Sequence, residues 1–244
     1  MLWFDLDDTL WDMTGNSTEV LRRLHAEVAT IARAYPEGPE SWLDTYHRMN
    51  AELWRDYALG KISRAYLRRE RFAGPLRAGG IGEVEAVATA DYLDTYYLKL
   101  LGRCTRMLPG ARELLESIER AKLPKPGIIS NGFVDVQHNK LRSSGIADCF
   151  SSIILSDDIG VNKPDRRLFD YALEQSGTSA EESTIVGDNP MTDILGALRA
   201  GWARAIWYNP KGLPVPPELE PYLAGGLKVA STLEEVGAMI GALT

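Results

Sequence analysis

The sequence predicts an α/β fold: a doubly wound, parallel-sheet core interrupted after its first strand by an inserted helical bundle. Three observations lead there. From residue 107 onward, short apolar runs alternate with amphipathic helical stretches, the order that builds a parallel sheet with helices on both faces. Residues 14–106 instead read as nearly all helix. Ahead of them stands one short apolar run, Leu2-Trp3-Phe4, which cannot pair alone and must join the later sheet. The predicted units are therefore a core of 1–13 with 107–244 and an insertion of 14–106.

Taken in order, Leu2-Trp3-Phe4 runs into acidic residues and reads as a buried strand. In the insertion, Asn16 with Glu19 three positions later is a capping pair, and Val20, Leu21, Leu24, Val28 and Ile31 follow at helical spacing. Trp42, Leu43, Tyr46, Met49, Leu53, Trp54 and Tyr57 make a second stripe. Ser63 caps a third helix with Tyr66, Leu67 and Phe72, and Val84, Val87, Leu93, Tyr96, Tyr97 and Leu100 mark a fourth. Four such helices form a bundle whose aromatic residues are expected in its core. Beyond it, Pro109-Gly110 opens a helix carrying Leu114, Leu115 and Ile118. Strands are predicted at 127–129, 152–155, 184–186, 203–208 and 227–230, with helices at 134–144, 164–175 and 191–200. A Pro-rich loop occupies 213–217, and Ser231 with Glu234 caps a final helix.

Composition narrows the function. At 244 residues the chain holds one or two domains at about 150 residues each, and 45% hydrophobic with 25% charged residues is ordinary for a folded chain. Acidic residues outnumber basic ones, 34 to 27, for a net charge of −7. Such a surface repels polyanions, so no nucleic-acid polymer is expected as a partner. No apolar run of about 18 residues is present, so no membrane span is expected. Asp5, Asp7 and Asp8 do not suit a secretory signal. Cys104 and Cys149 form no CxxC pair, and a reducing cytoplasm fits them. A monomer or homodimer is expected.

Open parallel sheets bind ligands beyond the carboxyl ends of their strands. The predicted strand ends carry Asp5-Leu6-Asp7-Asp8-Thr9, Ser130-Asn131-Gly132 and Gly187-Asp188-Asn189, and Lys163 lies in the loop before the helix starting near Pro164. Together these are the parts of a phosphoryl-transfer site. A carboxylate attacks phosphorus, and a second acid protonates the leaving oxygen. Mg²⁺ on oxygen ligands offsets the repulsion between carboxylate and phosphate dianion. A lysine, a hydroxyl and backbone N–H groups hold the remaining charge.

Phe4-Asp5-Leu6-Asp7-Asp8-Thr9-Leu10 resembles the first motif of the haloacid dehalogenase superfamily. Ser130-Asn131-Gly132 resembles the second, Lys163-Pro164 the third, and Gly187-Asp188-Asn189-Pro190-Met191-Thr192-Asp193 the fourth. The motifs stand in the family's order, and the insertion lies where the family carries its mobile cap. The resemblance implies a Rossmann-like core with a helical-bundle cap. It makes Asp5 the nucleophile that carries an aspartyl-phosphate, and Asp7 the acid and then the base. Asp5, the Asp7 main-chain carbonyl and Asp188 would hold Mg²⁺, with Asp193 supporting the metal through water or Lys163. Ser130 would bind a phosphoryl oxygen, Asn131 and Gly132 would shape its turn toward substrate, and Lys163 would steady negative charge. Family members that cleave carbon–halogen bonds lack the aspartate found here as Asp7, so its presence favours phosphoryl transfer to water. Asn162 stands where members often carry a small residue.

A narrower likeness covers Ser130–Gly201. Ser130-Asn131-Gly132-Phe133, the Gln137…Lys140-Leu141 spacing, Ser144-Gly145 and Asp158-Ile159-Gly160-Val161 resemble the pyrimidine-nucleotide 5′-phosphatase branch. So do Leu168-Phe169-Asp170-Tyr171-Ala172-Leu173 and Thr192-Asp193-Ile194-Leu195-Gly196-Ala197. It implies a small phosphorylated metabolite as partner, a pyrimidine nucleoside 5′-monophosphate. The alternatives are a phosphoglycolate or sugar-phosphate phosphatase, a phosphomutase, a catalytically dead binding protein and a non-hydrolytic phospho-acceptor signalling module. Modules of that last kind are about half this length and lack the second aspartate. Trp11 and Phe133 follow the first two motifs, placed either to stack on substrate or to pack in the core. Lys61, Arg64, Arg68, Arg69, Arg71 and Arg77 face only Glu70 within 61–77, which reads as a solvated face or as an attractor for an anion. Asp8 reads as a local hydrogen-bonding residue and Asp157-Asp158 as loop surface, and the three histidines lack ligand spacing.

Overall fold

Six strands form one sheet in the computed structural model, which describes residues 1–241. They are β1 (Leu2–Phe4), β2 (Gly127–Ser130), β3 (Ser152–Leu155), β4 (Thr184–Gly187), β5 (Arg204–Tyr208) and β6 (Leu227–Ala230). Every pairing is parallel and the order is β3-β2-β1-β4-β5-β6. The last three positions of the predicted core range lie outside the described residues. β1 is central: Phe4 stands opposite Ile128 on one side and Val186 on the other. The chain builds outward from β1 to β3, then crosses back to place β4 on β1's other side. In parallel sheets of this kind such a reversal marks the ligand crevice, here at the carboxyl ends of β1 and β4. Burial on both faces explains why the strands read as continuous apolar runs: β2 and β4 are buried throughout.

Two compact units appear, one of Met1–Met13 with Thr105 onward and one of Thr14–Cys104. In the first, helices α6 (Ala111–Arg120), α7 (Val134–Ser143), α8 (Ser156–Ile159), α9 (Arg166–Ser176), α10 (Gly196–Arg199) and α11 (Leu233–Gly241) accompany the sheet. Trp3, Phe169, Trp202 and Trp207 anchor its core. Asp165 caps α9, its side chain accepting from the Arg167 N–H. The predicted helix over 191–200 is a π-helical turn, Pro190–Leu195, running into α10. The cap of α11 lies one residue later than predicted: Thr232 Oγ1 accepts from the Glu235 N–H at 3.1 Å. Asp157-Asp158 lies in α8, not in a loop: Asp158 accepts from the Leu155 N–H and Asp157 from the Val134 N–H.

The second unit contains five helices where four were expected: α1 (Met13–Glu27), α2 (Ala29–Ala34), α3 (Pro39–Ala58), α4 (Arg64–Ala78) and α5 (Glu83–Leu101). The first predicted stripe breaks at Val28, whose extended backbone (φ −109°, ψ 104°) separates α1 from α2. Asn16 is buried inside α1, not at its start. Ser63 caps α4 as read, accepting from the Tyr66 N–H at 3.1 Å. Trp42, Tyr46, Phe72 and Tyr97 form the aromatic core, with Tyr46 and Phe72 ring centres 5.3 Å apart. Met49, Leu53, Trp54 and Tyr57 are only half-buried, and Val84 is 86% exposed.

The basic stretch 61–77 is largely neutralised within this unit. Arg68 and the buried Arg71 both grip Asp94, Arg77 pairs with Glu70 and Glu83, Arg69 with Glu70 and Lys61 with Asp56. It is therefore neither a simple solvated face nor a field of open positive charge.

Candidate active site

Chain ends of β1, β2 and β4 deliver the predicted residues to one place. Asp5 directly follows β1 and is fixed there by its N–H bond to the Val186 carbonyl, 2.9 Å. The Lys163 ammonium, 1% exposed, donates to Asp5 Oδ1 at 2.6 Å and to the Ile129 carbonyl at 2.7 Å, and pairs with Asp193 Oδ1 at 2.8 Å. An ammonium has three N–H donors, and all three are engaged by the protein. Lys163 therefore holds Asp5 and Asp193 in place, with its donors spent inside the protein. Thr9, unassigned from sequence, is fully buried. Its hydroxyl leans toward Asp5 Oδ2 at 3.5 Å and accepts from the Asp188 N–H at 3.0 Å, tying the ends of β1 and β4 together. Gly187 is required for close approach, since a Cβ there would sit 2.4 Å from Asp193 Oδ2.

Asp5, Asp188 and Asp193 bring carboxylate oxygens within 4.8 Å of one another. Desolvation pushes the Asp5 carboxyl up to about 7; Lys163 opposes that, while Asp193 and Asp7 add to it. Desolvation, then the charges of Asp193, Asp5 and Asp8, raise Asp188 to about 9. Burial alone would lower the Lys163 ammonium, but Asp193 and Asp5 outweigh it and its pKa is raised. One cation thus faces three crowded carboxylates. An all-oxygen donor set short of positive charge fits a hard divalent ion such as Mg²⁺. Asp8 adds to the negative field from a left-handed backbone position, φ 55°.

These shifts fix a pH dependence. Both acids have folded pKa values above their ordinary 3.8, so the metal-free folded state holds protons that the unfolded chain has lost. Stability of the chelated protein therefore falls as pH rises from about 4 toward 9. Added Mg²⁺ competes with those protons, so it raises Tm more at pH 8.5 than at pH 5.5. Melting curves at both pH values check this; a chelated Tm that climbs with pH contradicts it.

Asp7 lies outside the carboxylate cluster. Its Oδ1 accepts from Lys140 Nζ at 2.7 Å and its Oδ2 from Gln137 Nε2 at 3.0 Å. Gln137 also donates to Ser130 Oγ at 2.7 Å, and the Gly132 N–H donates to the same oxygen at 3.2 Å. With both Oγ lone pairs engaged, the Ser130 hydroxyl keeps its hydrogen as a donor. Sequence reasoning assigned no site role to Gln137 or Lys140. Their signal was two polar residues sharing the buried face of α7 with Val136 and Leu141.

The residues expected near substrate are engaged or enclosed within the protein itself. Asn131 is committed to the Lys163 loop: Nδ2 donates to the Lys163 carbonyl at 3.0 Å and Oδ1 accepts from its N–H at 2.7 Å. Gly132 makes room for Gln137, whose amide nitrogen would lie 2.3 Å from any Cβ. Trp11 and Phe133 are 0% and 4% exposed, so neither ring offers an open stacking face.

A family model described as haloacid dehalogenase-like hydrolase matches residues 2–201. The chain belongs to this family. The hydrolase is 33% identical over 210 residues to pyrimidine 5′-nucleotidase YjjG of Escherichia coli (strain K12), covering 85% of each chain. It is 31% identical to a phosphoserine phosphatase of Thermus thermophilus, over 93% of this chain and 95% of that one. The magnesium-bound crystal structure of the HAD-hydrolase YfnB of Bacillus subtilis matches it with a TM-score of 0.81 at 27% identity, over 98% of this chain and 97% of that one. Among the described residues, no helix of this hydrolase is long and apolar enough to cross a membrane.

Proposed function

We propose that this hydrolase is a Mg²⁺-dependent phosphomonoesterase that works through a phosphorylated Asp5. The observation that carries the reading is the division of labour between two aspartates two residues apart. Asp5 lies in the carboxylate cluster on Lys163, and Asp7 is held apart from it on Lys140 and Gln137. That division supports attack by the first and proton transfer by the second.

Asp5 attacks phosphorus, a new O–P bond forms, and the ester P–O bond breaks. Asp7 gives its proton to the departing oxygen. Asp7 then takes a proton from water as that water attacks the phosphorylated carboxylate, releasing phosphate and restoring Asp5. Ser130 donates to a phosphoryl oxygen, and Lys163 keeps Asp5 in place throughout. Asp5, Asp188, the Asp7 main-chain carbonyl and, through its place in the cluster, Asp193 would hold Mg²⁺. The ion would supply the positive charge that lets a carboxylate approach a phosphate dianion. Chelation is expected to abolish turnover and Mg²⁺ to restore it; full activity in excess chelator removes the metal from the reaction.

The nucleotidase relative and the motif likeness favour a pyrimidine nucleoside 5′-monophosphate as substrate in a cytoplasmic setting. The phosphoserine phosphatase relative keeps a second reading open, a small phosphorylated acid or sugar. Phosphate release across a panel of nucleotides, phosphoserine, phosphoglycolate and sugar phosphates tests both. The highest kcat/KM on uridine or thymidine 5′-monophosphate is expected. Release from the small acids or sugars with none from nucleotides selects the second reading.

A further inference from the structure

We propose that Lys140 and Gln137 are positioning residues for Asp7. Helix α7 supplies a donor to each Asp7 carboxylate oxygen and so orients the proton-transferring group beside the phosphate-binding serine. The proposal rests on the phosphatase reading above.

The clamp is built, not incidental. Residues three apart on a helix share a face, and here that face is otherwise apolar. The Lys140 side chain is 3% exposed, and burying an ammonium is costly unless it is paired. Its partner is Asp7 Oδ1 at 2.7 Å, with the Trp11 ring centre 4.6 Å from Nζ. Trp11 is itself pinned, since its indole N–H donates to Ser144 Oγ, just past the end of α7, at 3.1 Å. Gln137 is fully buried, and its amide fills the space that Gly132 leaves open. Its nitrogen bridges Asp7 Oδ2 and Ser130 Oγ. The Asp7 carboxylate therefore cannot turn freely. Each oxygen keeps one anchored lone pair, and the side chain, 28% exposed, presents its remaining face outward.

Orientation of Asp7 matters most where a proton must reach the leaving oxygen. A p-nitrophenolate departs with little help, whereas a phenolate needs more. The ratio kcat/KM reports the steps through departure of that group. A clamp defect therefore appears as a leaving-group dependence, which a merely structural defect does not produce.

The test compares p-nitrophenyl phosphate with phenyl phosphate, two esters of similar shape, in the full chain with Mg²⁺. Lys140→Met keeps the apolar stem and removes the ammonium. It is expected to lower kcat/KM for phenyl phosphate on the order of 10²-fold, and for p-nitrophenyl phosphate several-fold at most. Lys140→Arg is expected to bring the ratio between the two esters back toward the parent's. Equal losses on both esters, or none on either, overturn the proposal while leaving the phosphatase reading intact. A parent protein inert toward both esters overturns the phosphatase reading and this proposal with it. Should Lys140→Met not fold, Gln137→Met is read the same way, with the same split expected.

Discussion

Asp5→Asn is expected to lower kcat/KM by at least about 10⁴-fold with little change in Tm. An amide is no nucleophile toward phosphorus, so the chemical step has no substitute on this chain. The fold has no comparable dependence on the charge. Asn has the volume of Asp, and Lys163 keeps Asp193 at 2.8 Å and the Ile129 carbonyl at 2.7 Å. Removing one of three crowded carboxylates also relieves repulsion on Asp188. Steady-state rates and melting curves on the same preparation separate the two effects. Activity above about a hundredth of the parent's, in protein that melts normally, assigns the attack to another group.

Lys163→Met is expected to have the largest effect on stability. Its ammonium is the cation bonded to both Asp5 and Asp193, at 2% side-chain exposure. Removing one partner of a buried ion pair leaves uncompensated charge and costs about 3–5 kcal/mol, a fall in Tm on the order of 10 °C for a chain of this size. Without the cation, Asp5 loses the attraction that favours its ionised form. The deficit relative to the parent therefore widens as pH rises through neutrality. Mg²⁺ is expected to recover part of it. Chemical denaturation at pH 5.5 and 8.5, with and without Mg²⁺, checks this. A variant as stable as the parent at both pH values contradicts the electrostatic account.

The sheet was legible because every strand but β5, which runs into Asn209-Pro210, stops abruptly at an acidic residue, a serine or a glycine turn. Placing Asp5, Ser130 and Asp188 at strand ends needed only that pattern and the rule for parallel sheets. What escaped depends on contacts between distant segments. Thr9 joins two strand ends through a bond to residue 188. Lys140 finds its partner 133 residues away, at Asp7. In the stretch 61–77, counting charges inside the window misled, because Asp94, Glu83 and Asp56 lie outside it. The break at Val28 has neither glycine nor proline to announce it. Trp11 and Phe133 show the same limit: adjacency to a motif says nothing about which way a ring packs.

The covalent step is tested most directly by trapping it. In Asp7→Asn, release of p-nitrophenolate proceeds without an acid while breakdown of the phosphorylated carboxylate loses its base, so the intermediate accumulates. Acid quenching during turnover with Mg²⁺, borohydride reduction and peptide mapping should then recover position 5 as homoserine. Turnover with Asp5 recovered unmodified, or with another residue reduced in its place, contradicts attack by Asp5.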